Sequence, residues 1–323
     1  MNIIHLLMKD NFNLIFNKSS KLLLMENSKK LTGDFYQEVT DKIISCLEQG
    51  VQPWKRSWGQ YGLAKNFFSG NIYQGINMLL MNMTKHKIPY FISFNQAKNL
   101  GGNIRKGAKA ERVFYYNTYF KDELGNRISK ENAEILSKAG KKIDTISFLK
   151  YYNVFNIEDV ENIEFEISEI QLNENEKIDF CESIYRNMAN APTLVNNDMN
   201  NAFYEVDKDK LNMPDIRQFD SSEAYYSTLF HELIHSTGHK SRLSRETITN
   251  QNIQFGSIGY AKEELIAEIG ASFLCAYTNI NQNEITANTV SYIANWLKIL
   301  KNDKRFIFKS AAKASKATNY ILS

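Results

Sequence analysis

Apolar residues recur at helical spacing in several stretches of the chain. In residues 34–49, the positions of Phe35, Val39, Ile43 and Leu47 fall on one face of a helix. The same spacing predicts further helices at residues 78–83, 90–100, 178–189, 220–238, 260–277, 287–301 and 304–322. Short apolar and aromatic runs predict strands at residues 113–116 and 152–156, at residues 202–206, and in the segment that ends at Pro214. This pattern predicts an α+β fold.

The helix predicted at residues 220–238 carries an H-E-x-x-H motif from His231 to His235. Because residues four apart lie on the same face of an α-helix, both imidazoles can reach one metal ion. Glu232 follows the first histidine, where its carboxylate can take a proton from a metal-bound water. A helix can carry two histidines by chance, but three of the five histidines here, with His239 the third, fall within nine residues. The motif therefore predicts a metal site.

A later helix offers carboxylates to complete this site. Glu264 and Glu268 share one face of the helix predicted at residues 260–277. Glutamates on a helix usually face solvent, so this pair is a weak signal without the histidines. Catalytic zinc takes three protein ligands and leaves a fourth position for water. The two helices together predict a Zn²⁺ site with two histidines and one carboxylate, at which Glu232 is the catalytic base.

Charge is unevenly distributed along the chain, although the net charge is only +3. Residues 1–160 contain 23 Lys and Arg against 14 Asp and Glu, whereas residues 161–323 contain 16 against 22. Residues 51–110 contain nine basic residues and no acidic one. Such a run can be a solvated face, but sixty residues without a carboxylate favour contact with a polyanion.

Two tryptophans, Trp54 and Trp58, flank Lys55 and Arg56 at the start of this basic run. Tryptophan more often belongs to a core than to a ligand site. Aromatic faces interleaved with cations are nevertheless how proteins hold unpaired bases and their phosphates. The candidate DNA contacts are Trp54, Lys55, Arg56, Trp58, Lys65, Tyr73, Arg105, Lys106 and Lys109.

Other sequence features exclude several classes of protein. The three cysteines form no C-x-x-C pair, which argues against a disulfide scaffold or a cysteine zinc site and favours a reducing compartment. The basic glycine loop at residues 101–107 lacks the G-K-[ST] ending of a P-loop. The apolar runs near the start are too short to span a bilayer. We expect a cytoplasmic protein without membrane contact, whose true start can be Met25.

Composition divides the chain into four segments. Residues 1–30 form an irregular N-terminal extension, and residues 31–157 form a small mixed domain that carries the basic run. Residues 158–176 are acidic, without Lys or Arg, and are expected to be a linker. Residues 177–323 contain the strands and the metal-binding helices of the second domain.

Ordered motifs across most of the chain resemble one known family. Residues 35–50, Pro53-Trp54, residues 73–77 and the loop at residues 101–107 are similar to the N-terminal domain of the ArdC antirestriction proteins. Residues 231–245, 260–268 and 296–297 are similar to the C-terminal metallopeptidase domain of that family. The resemblance implies a protein of a plasmid, phage or mobile element, with an N-terminal domain that binds single-stranded DNA and a zincin-like C-terminal domain.

Similarity to other zincins implies roles for the remaining candidate residues. Glu264 is expected to be the third ligand, and Glu268 is expected to orient a ligand histidine. His239 lies about 12 Å of helix rise from His231, too far along a straight helix to be a ligand. Tyr260, His239 and Arg242 are candidates for stabilising an oxyanion.

Three functions agree with these features. The first is an antirestriction-type protein that binds single-stranded DNA and carries a zinc-dependent peptidase-like site, which acts on a protein or peptide. The second is a DNA-binding shield whose metal site is structural and catalytically silent. The third is a cytosolic zinc protease whose basic domain recruits an acidic protein. Salt-dependent binding to unpaired DNA separates the third from the first two.

Overall fold

The computed structural model describes residues 34–55, 61–167, 174–197, 201–250, 252–254, 256–280 and 287–323. The predicted extension at residues 1–30, with Met25, lies outside the described residues. So do the candidate DNA contacts Arg56 and Trp58, and so do residues 168–173 of the predicted acidic linker.

Helices and short strands alternate along the chain. The described helices are α1 (Phe35–Glu48), α2 (Ile76–Asn82), α3 (Phe94–Asn99), α4 (Lys130–Lys138), α5 (Glu174–Asn187), α6 (Ser222–Ser236), α7 (Glu246–Thr249), α8 (Ile258–Thr278), α9 (Ala287–Asn302) and α10 (Phe306–Leu322). The described strands are β1 (Lys65–Asn66), β2 (Tyr90–Ser93), β3 (Asn103–Ile104), β4 (Glu111–Lys121), β5 (Arg127–Ile128), β6 (Asp144–Asn156), β7 (Val160–Glu161), β8 (Thr193–Asn197), β9 (Phe203–Glu205) and β10 (Lys210–Pro214). The predicted mixture of helix and sheet is confirmed.

The described residues cluster into two compact units. The smaller unit comprises residues 92–155 and 159–163, and the larger comprises residues 34–91, 156–158 and 164–323 with the gaps given above. This division differs from the segments expected from composition, because residues 34–91 cluster with the C-terminal helices.

The smaller unit is built on a long antiparallel ribbon. Strand β4 pairs with β6 from Glu111↔Val154 to Lys121↔Asp144. β-Branched and aromatic residues make up more than half of each strand, and these residues favour a pleated, half-buried surface. Strand β5 pairs with the far end of β4, and β3 pairs with β7. Helix α4 begins after Ser129, whose hydroxyl accepts a hydrogen bond from the Asn132 amide.

The secondary structure differs from the sequence-based prediction in two places, at residues 90–100 and at residues 121–150. The helix predicted at residues 90–100 is a strand, β2, followed by the shorter helix α3. Helix α3 begins only after Ser93 because Ser93 and Gln96 form a capping box there. Residues 121–150, where the sequence pattern predicts no helix or strand, contain β5, α4 and the first half of β6. Local polarity concealed these elements, since an antiparallel sheet can face water on one side.

Helix α8 lies at the centre of the larger unit and packs against α6, α9 and α10. Fourteen of its residues are buried, including Leu265, Ile269 and Phe273. At Gly270, an added Cβ would lie 2.6 Å from the Ile234 side chain of α6. A side chain at this position would therefore push the two helices apart. Gly270 therefore permits the close approach of α8, which carries Glu264, to α6, which carries His231 and His235.

The segment at residues 34–91 packs on these helices through an aromatic contact and hydrogen bonds. Trp54 has 0% exposure and meets Trp296 of α9 edge to face, with ring centroids 5.4 Å apart. The backbone amide of Gly75 donates to Ser315 Oγ of α10 at 2.7 Å. The Thr40 hydroxyl of α1 donates to the Lys304 carbonyl at 2.8 Å. These contacts explain why the segment clusters with the C-terminal helices.

Helix α6 is covered on one side by a three-stranded sheet. Strand β10 lies between β8, which it pairs with in parallel, and β9, which it pairs with antiparallel. Leu211 and Met213 of β10 have no solvent exposure, as expected for alternate positions on a face that packs on a helix. Among the described helices, none is long and apolar enough to cross a membrane.

Candidate metal centre

Helix α6 positions the two motif histidines. Its N-cap is Ser221, whose hydroxyl accepts a hydrogen bond from the Ala224 amide at 3.1 Å. The apolar residues of α6 are buried, which fixes the rotation of the helix about its axis. His231 Nε2 and His235 Nε2 consequently lie 3.1 Å apart.

Glu264 of α8 completes the cluster. Its carboxylate oxygens lie 3.4 Å from His231 Nε2 and 3.4 Å from His235 Nε2. One potential ligand atom from each of the three residues lies within 4.8 Å of the others. Tetrahedral zinc with ligands at about 2.0–2.1 Å requires ligand atoms roughly 3.3–3.4 Å apart. The residues present therefore fit a divalent metal ion at this position.

The electrostatics of the cluster are those of a site built around positive charge. Burial raises the pKa of Glu264, but His235 and His231 lower it by more, so that the pKa lies well below its ordinary 4.5. Burial lowers the pKa of His235, but Glu264 and Glu263 raise it well above its ordinary 6.5. Burial also lowers the pKa of His231, but Glu264 raises it by more, so that it lies above its ordinary 6.5. These opposite shifts show that the cluster favours positive charge at this position, which a bound metal ion would supply.

Glu263, which sequence reasoning missed, holds the outer side of His235. Its Oε1 lies 3.4 Å from His235 Nδ1. Arg245 Nε donates to Glu263 Oε2 at 3.2 Å, and the Thr247 hydroxyl donates to the same oxygen. Burial raises the pKa of Glu263, but Arg245 and His235 lower it to about 2. A charged Glu263 at Nδ1 leaves Nε2 of His235 directed at Glu264, the arrangement that orients metal-bound histidines.

Glu268, the predicted orienting residue, lies beside the other histidine. Its Oε1 is 4.0 Å from His231 Nδ1, beyond hydrogen-bond distance. Glu263 and Glu264 are adjacent in the sequence, and spacing gave no reason to assign one to the metal and the other to Nδ1. The available signal was Arg245, a cation that can compensate a buried carboxylate, ten residues after His235.

A cavity of about 1060 Å³ opens onto the cluster. The metal-site residues His231, His235 and Glu264 line it together with Glu232. Its apolar wall is formed by Phe203, Pro214, Phe219, Ile248 and Ile253. Glu232 is therefore placed where a base must be to act on a molecule bound beside the cluster.

Two of the three candidate oxyanion stabilisers, Tyr260 and His239, line this cavity. The Tyr260 hydroxyl lies 3.5 Å from that of Tyr292. Burial raises the pKa of Tyr260, and Glu264 raises it further. Tyr260 therefore keeps its proton at neutral pH and can act as a hydrogen-bond donor.

Arg242, the third candidate, has another role. Its side chain is fully buried and is not among the described residues that line the cavity. Its Nε donates to the Ser236 carbonyl and its Nη1 to the Asn190 carbonyl, both at 2.7 Å, and it forms an ion pair with Asp209. These bonds tie the end of α6 to the turn that follows α5 and to the turn that precedes β10. The prediction that Arg242 stabilises an oxyanion is wrong, because its donors are already used.

The described candidate DNA contacts are divided between the two units. Trp54 is a core residue, and Tyr73 is buried with its ring 6.1 Å from Phe91. Neither side chain can stack on a base, which corrects the prediction for both. Lys55 lines the cavity, and Lys65 Nζ lies 4.3 Å from the centroid of the Tyr90 ring.

The remaining candidates belong to the smaller unit. Arg105, about half exposed, lies 3.6 Å from Asp159 and 3.4 Å from Glu161. Lys106 and Lys109 are exposed. Arg105 thus has acidic neighbours that the acid-free run did not reveal, because these carboxylates come from β7 and the turn before it.

Each half of the chain matches the model of a known protein family. Residues 33–155 match the model of the N-terminal domain of the anti-restriction factor ArdC. Residues 182–313 match the model of a zincin-like metallopeptidase family.

Three relatives are similar to this chain over about nine tenths of its length. Two Escherichia coli proteins named DNA primase TraC are 29% identical over 303 and 320 residues, covering 90% and 95% of this chain. Only 27% and 21% of those proteins are covered, so the chain spans about a quarter of their length. The uncharacterised protein y4eC of Sinorhizobium fredii (strain NBRC 101917 / NGR234) is 28% identical over 296 residues, with 89% of this chain and 91% of that protein covered.

Two crystal structures of the antirestriction protein ArdC from plasmid R388 share this fold. The metal-free structure has a TM-score of 0.69 and 31% identity, and the Mn(II)-bound structure has a TM-score of 0.67 and 32% identity. Each comparison covers 90% of this chain and 97% of the ArdC chain. The donor set of the cluster and the Mn(II)-bound relative both support a divalent-metal site. On these grounds, the chain belongs to the ArdC family of antirestriction proteins, with an ArdC N-terminal domain and a zincin-like C-terminal domain.

Proposed function

We propose that this chain is an antirestriction-type protein of a mobile element or phage that binds single-stranded DNA and carries a zinc-dependent peptidase-like site. The observation that carries the enzymatic part is the convergence of His231, His235 and Glu264 beside Glu232 in one cavity. We place the protein in the cytoplasm, where incoming DNA and restriction enzymes meet.

Zinc is the metal that this donor set suits best. Two imidazoles and one carboxylate are the ligands of several catalytic zinc sites, and their spacing here agrees with tetrahedral coordination. When bound, the metal would polarise a scissile carbonyl and acidify a water molecule.

The residues of the chain itself supply the remaining steps. Glu232 takes a proton from the attacking water and returns it to the leaving amine. Tyr260 donates a hydrogen bond to the carbonyl oxygen as negative charge develops there. Glu263 and Arg245 hold the His235 ring in place throughout.

The cavity favours a peptidase over a shield with a silent metal. Structural zinc sites are closed by four protein ligands, whereas three ligands and an open cavity leave a position for water. Strand β9 is an edge strand of the three-stranded sheet, and its Phe203 lines the cavity. An extended peptide could add to such an edge and direct a side chain into the apolar wall.

We expect Glu232→Gln to retain the metal and to lose peptidase activity by roughly 10²- to 10⁴-fold, because the amide cannot accept the proton. Metal content and hydrolysis of a fluorogenic peptide library by the zinc-loaded full chain measure the two effects. Glu246→Gln is the control. It changes an exposed glutamate of α7 and should alter neither the metal content nor the peptidase activity. Equal activity in Glu232→Gln and the wild type would refute the base assignment. A wild type that binds zinc but cleaves nothing would favour the silent-metal shield.

DNA binding is supported by composition and by the match to the ArdC N-terminal domain. Residues 92–155, the bulk of the smaller unit, contain 12 Lys and Arg against six Asp and Glu. Positive charge attracts both single and double strands, so a preference for single strands needs aromatic faces as well.

A further inference from the structure

The aromatic faces that Trp54 and Tyr73 do not provide are present on the β4–β6 ribbon. Direct partners in an antiparallel pair point to the same face, and successive residues alternate between faces. Tyr115 is paired with Lys150, Asn117 with Phe148, and Val113 with Tyr152. The face that contains Tyr115 therefore also contains Tyr119, Phe148, Lys150 and Tyr152, and we name it the aromatic face of the ribbon.

Cations accompany the rings of this face. Phe148 and Tyr119 lie 6.0 Å apart by ring centroid. Lys150 Nζ is 5.3 Å from the centroid of Phe148, and the Arg127 guanidinium carbon is 5.0 Å from that of Tyr119. Arg127 reaches this face from β5, where it is paired with Lys121. The result is a row of aromatic rings in which Phe148 and Tyr119 each have a cation beside them.

The row is accessible rather than part of a core. Tyr115 is 40% exposed, and Tyr119, Phe148, Lys150 and Tyr152 are all half-buried. Within the described part of the chain, no carboxylate lies at ion-pair distance from Lys150 or Arg127, which leaves both charges for a ligand. On the opposite face, Phe114 is buried, and Tyr116 is exposed but is paired with Leu149.

Accessible rings beside uncompensated cations fit one class of partner best. An apolar protein surface would leave the two cations without a counter-charge, and a duplex would hide its base faces from the rings. An unpaired strand offers both base faces and phosphates. Adjacent positions on one face of a strand repeat about every 6.8 Å, so several bases can be contacted in succession.

We propose that the aromatic face of the β4–β6 ribbon is the surface that stacks on unpaired bases of single-stranded DNA, with Lys150 and Arg127 on the phosphates. The proposal rests on the DNA binding proposed above, and it locates that binding in the smaller unit. Stacking is sequence-tolerant because every base has a π face, so binding should show little sequence preference.

Fluorescence anisotropy of the full chain with a labelled oligothymidine tests the proposal. Tyr115→Ala and Phe148→Ala are each expected to weaken binding roughly 5- to 150-fold, the range for loss of one stacking partner. Lys150→Ala should weaken it and reduce the slope of log affinity against log salt by about 1. Tyr116→Ala is the matched control, since it removes a more exposed tyrosine from the neighbouring position on the opposite face.

The outcomes separate the proposal from the function on which it rests. A wild type that does not bind the oligonucleotide refutes the DNA-binding function itself. A wild type that binds, with Tyr115→Ala and Phe148→Ala unchanged, overturns only the location, as does an equal loss in Tyr116→Ala. Tyr115→Phe keeps the ring and should bind as the wild type does. If circular dichroism shows that an alanine variant is misfolded, Lys150→Ala and its salt slope decide.

Discussion

Replacement of Glu264 or His235 by alanine is expected to abolish stoichiometric metal binding. Each residue supplies one of three converging ligand atoms, and no other described residue belongs to the cluster. Loss of an outer residue that orients a ligand costs roughly 10- to 100-fold in metal affinity, and loss of a ligand should exceed that. Metal analysis of purified protein after dialysis against zinc measures the effect.

Two nearby substitutions serve as controls for this experiment. His239→Ala removes a histidine of the same motif region that is not in the cluster, and it should leave the metal content unchanged. Glu268→Ala removes a carboxylate 4.0 Å from His231 Nδ1 and should cost no more than the roughly 10- to 100-fold loss typical of an outer residue. Full metal occupancy in both Glu264→Ala and His235→Ala would contradict the assignment of the site.

We expect Arg245→Ala to lower the free energy of unfolding of the metal-free protein by about 3–5 kcal/mol. Arg245 and Glu263 are both buried, and removal of the cation leaves an uncompensated carboxylate in the interior. The same variant should bind metal more weakly, because Glu263 would no longer be fixed against His235. Urea denaturation followed by circular dichroism, in the presence of a chelator, measures stability without the contribution of the metal.

Two further variants test whether the loss of stability comes from an uncompensated buried charge. Arg245→Met combined with Glu263→Gln removes both charges and should recover much of the lost stability. Arg217→Ala breaks the ion pair with the neighbouring Asp215 at the surface, and it should cause no measurable change. If Arg245→Ala has the same free energy of unfolding as the wild type, the buried ion pair does not stabilise the fold and this prediction is wrong.

Short-range features of the site were predictable from the sequence. The distance between two side chains four residues apart on a helix is fixed by helix geometry, so the proximity of His231 and His235 followed from the motif. The burial of one face of α8 followed from its apolar residues. The resemblance to the ArdC family is also confirmed, because it depended on ordered local motifs.

Features that depend on packing between distant segments were predicted less well. The local sequence favoured Trp54 as a residue that stacks on a base, because the residues beside it are basic. The structure buries it against Trp296, more than two hundred residues later in the chain. Arg242 similarly resembles a free cation of the motif region until its contact with Asp209 is seen.

The sequence by itself determined the family and the closeness of His231 and His235, because these depend on residue identity at helical spacing. Only the tertiary structure decided which carboxylate faces which nitrogen, since α6 and α8 meet at a rotation set by their buried faces and by the close contact at Gly270. It also decided which aromatic residues are accessible. The same residue types form the core around Trp54 and the open face around Tyr115, and the difference lies in whether another segment covers them.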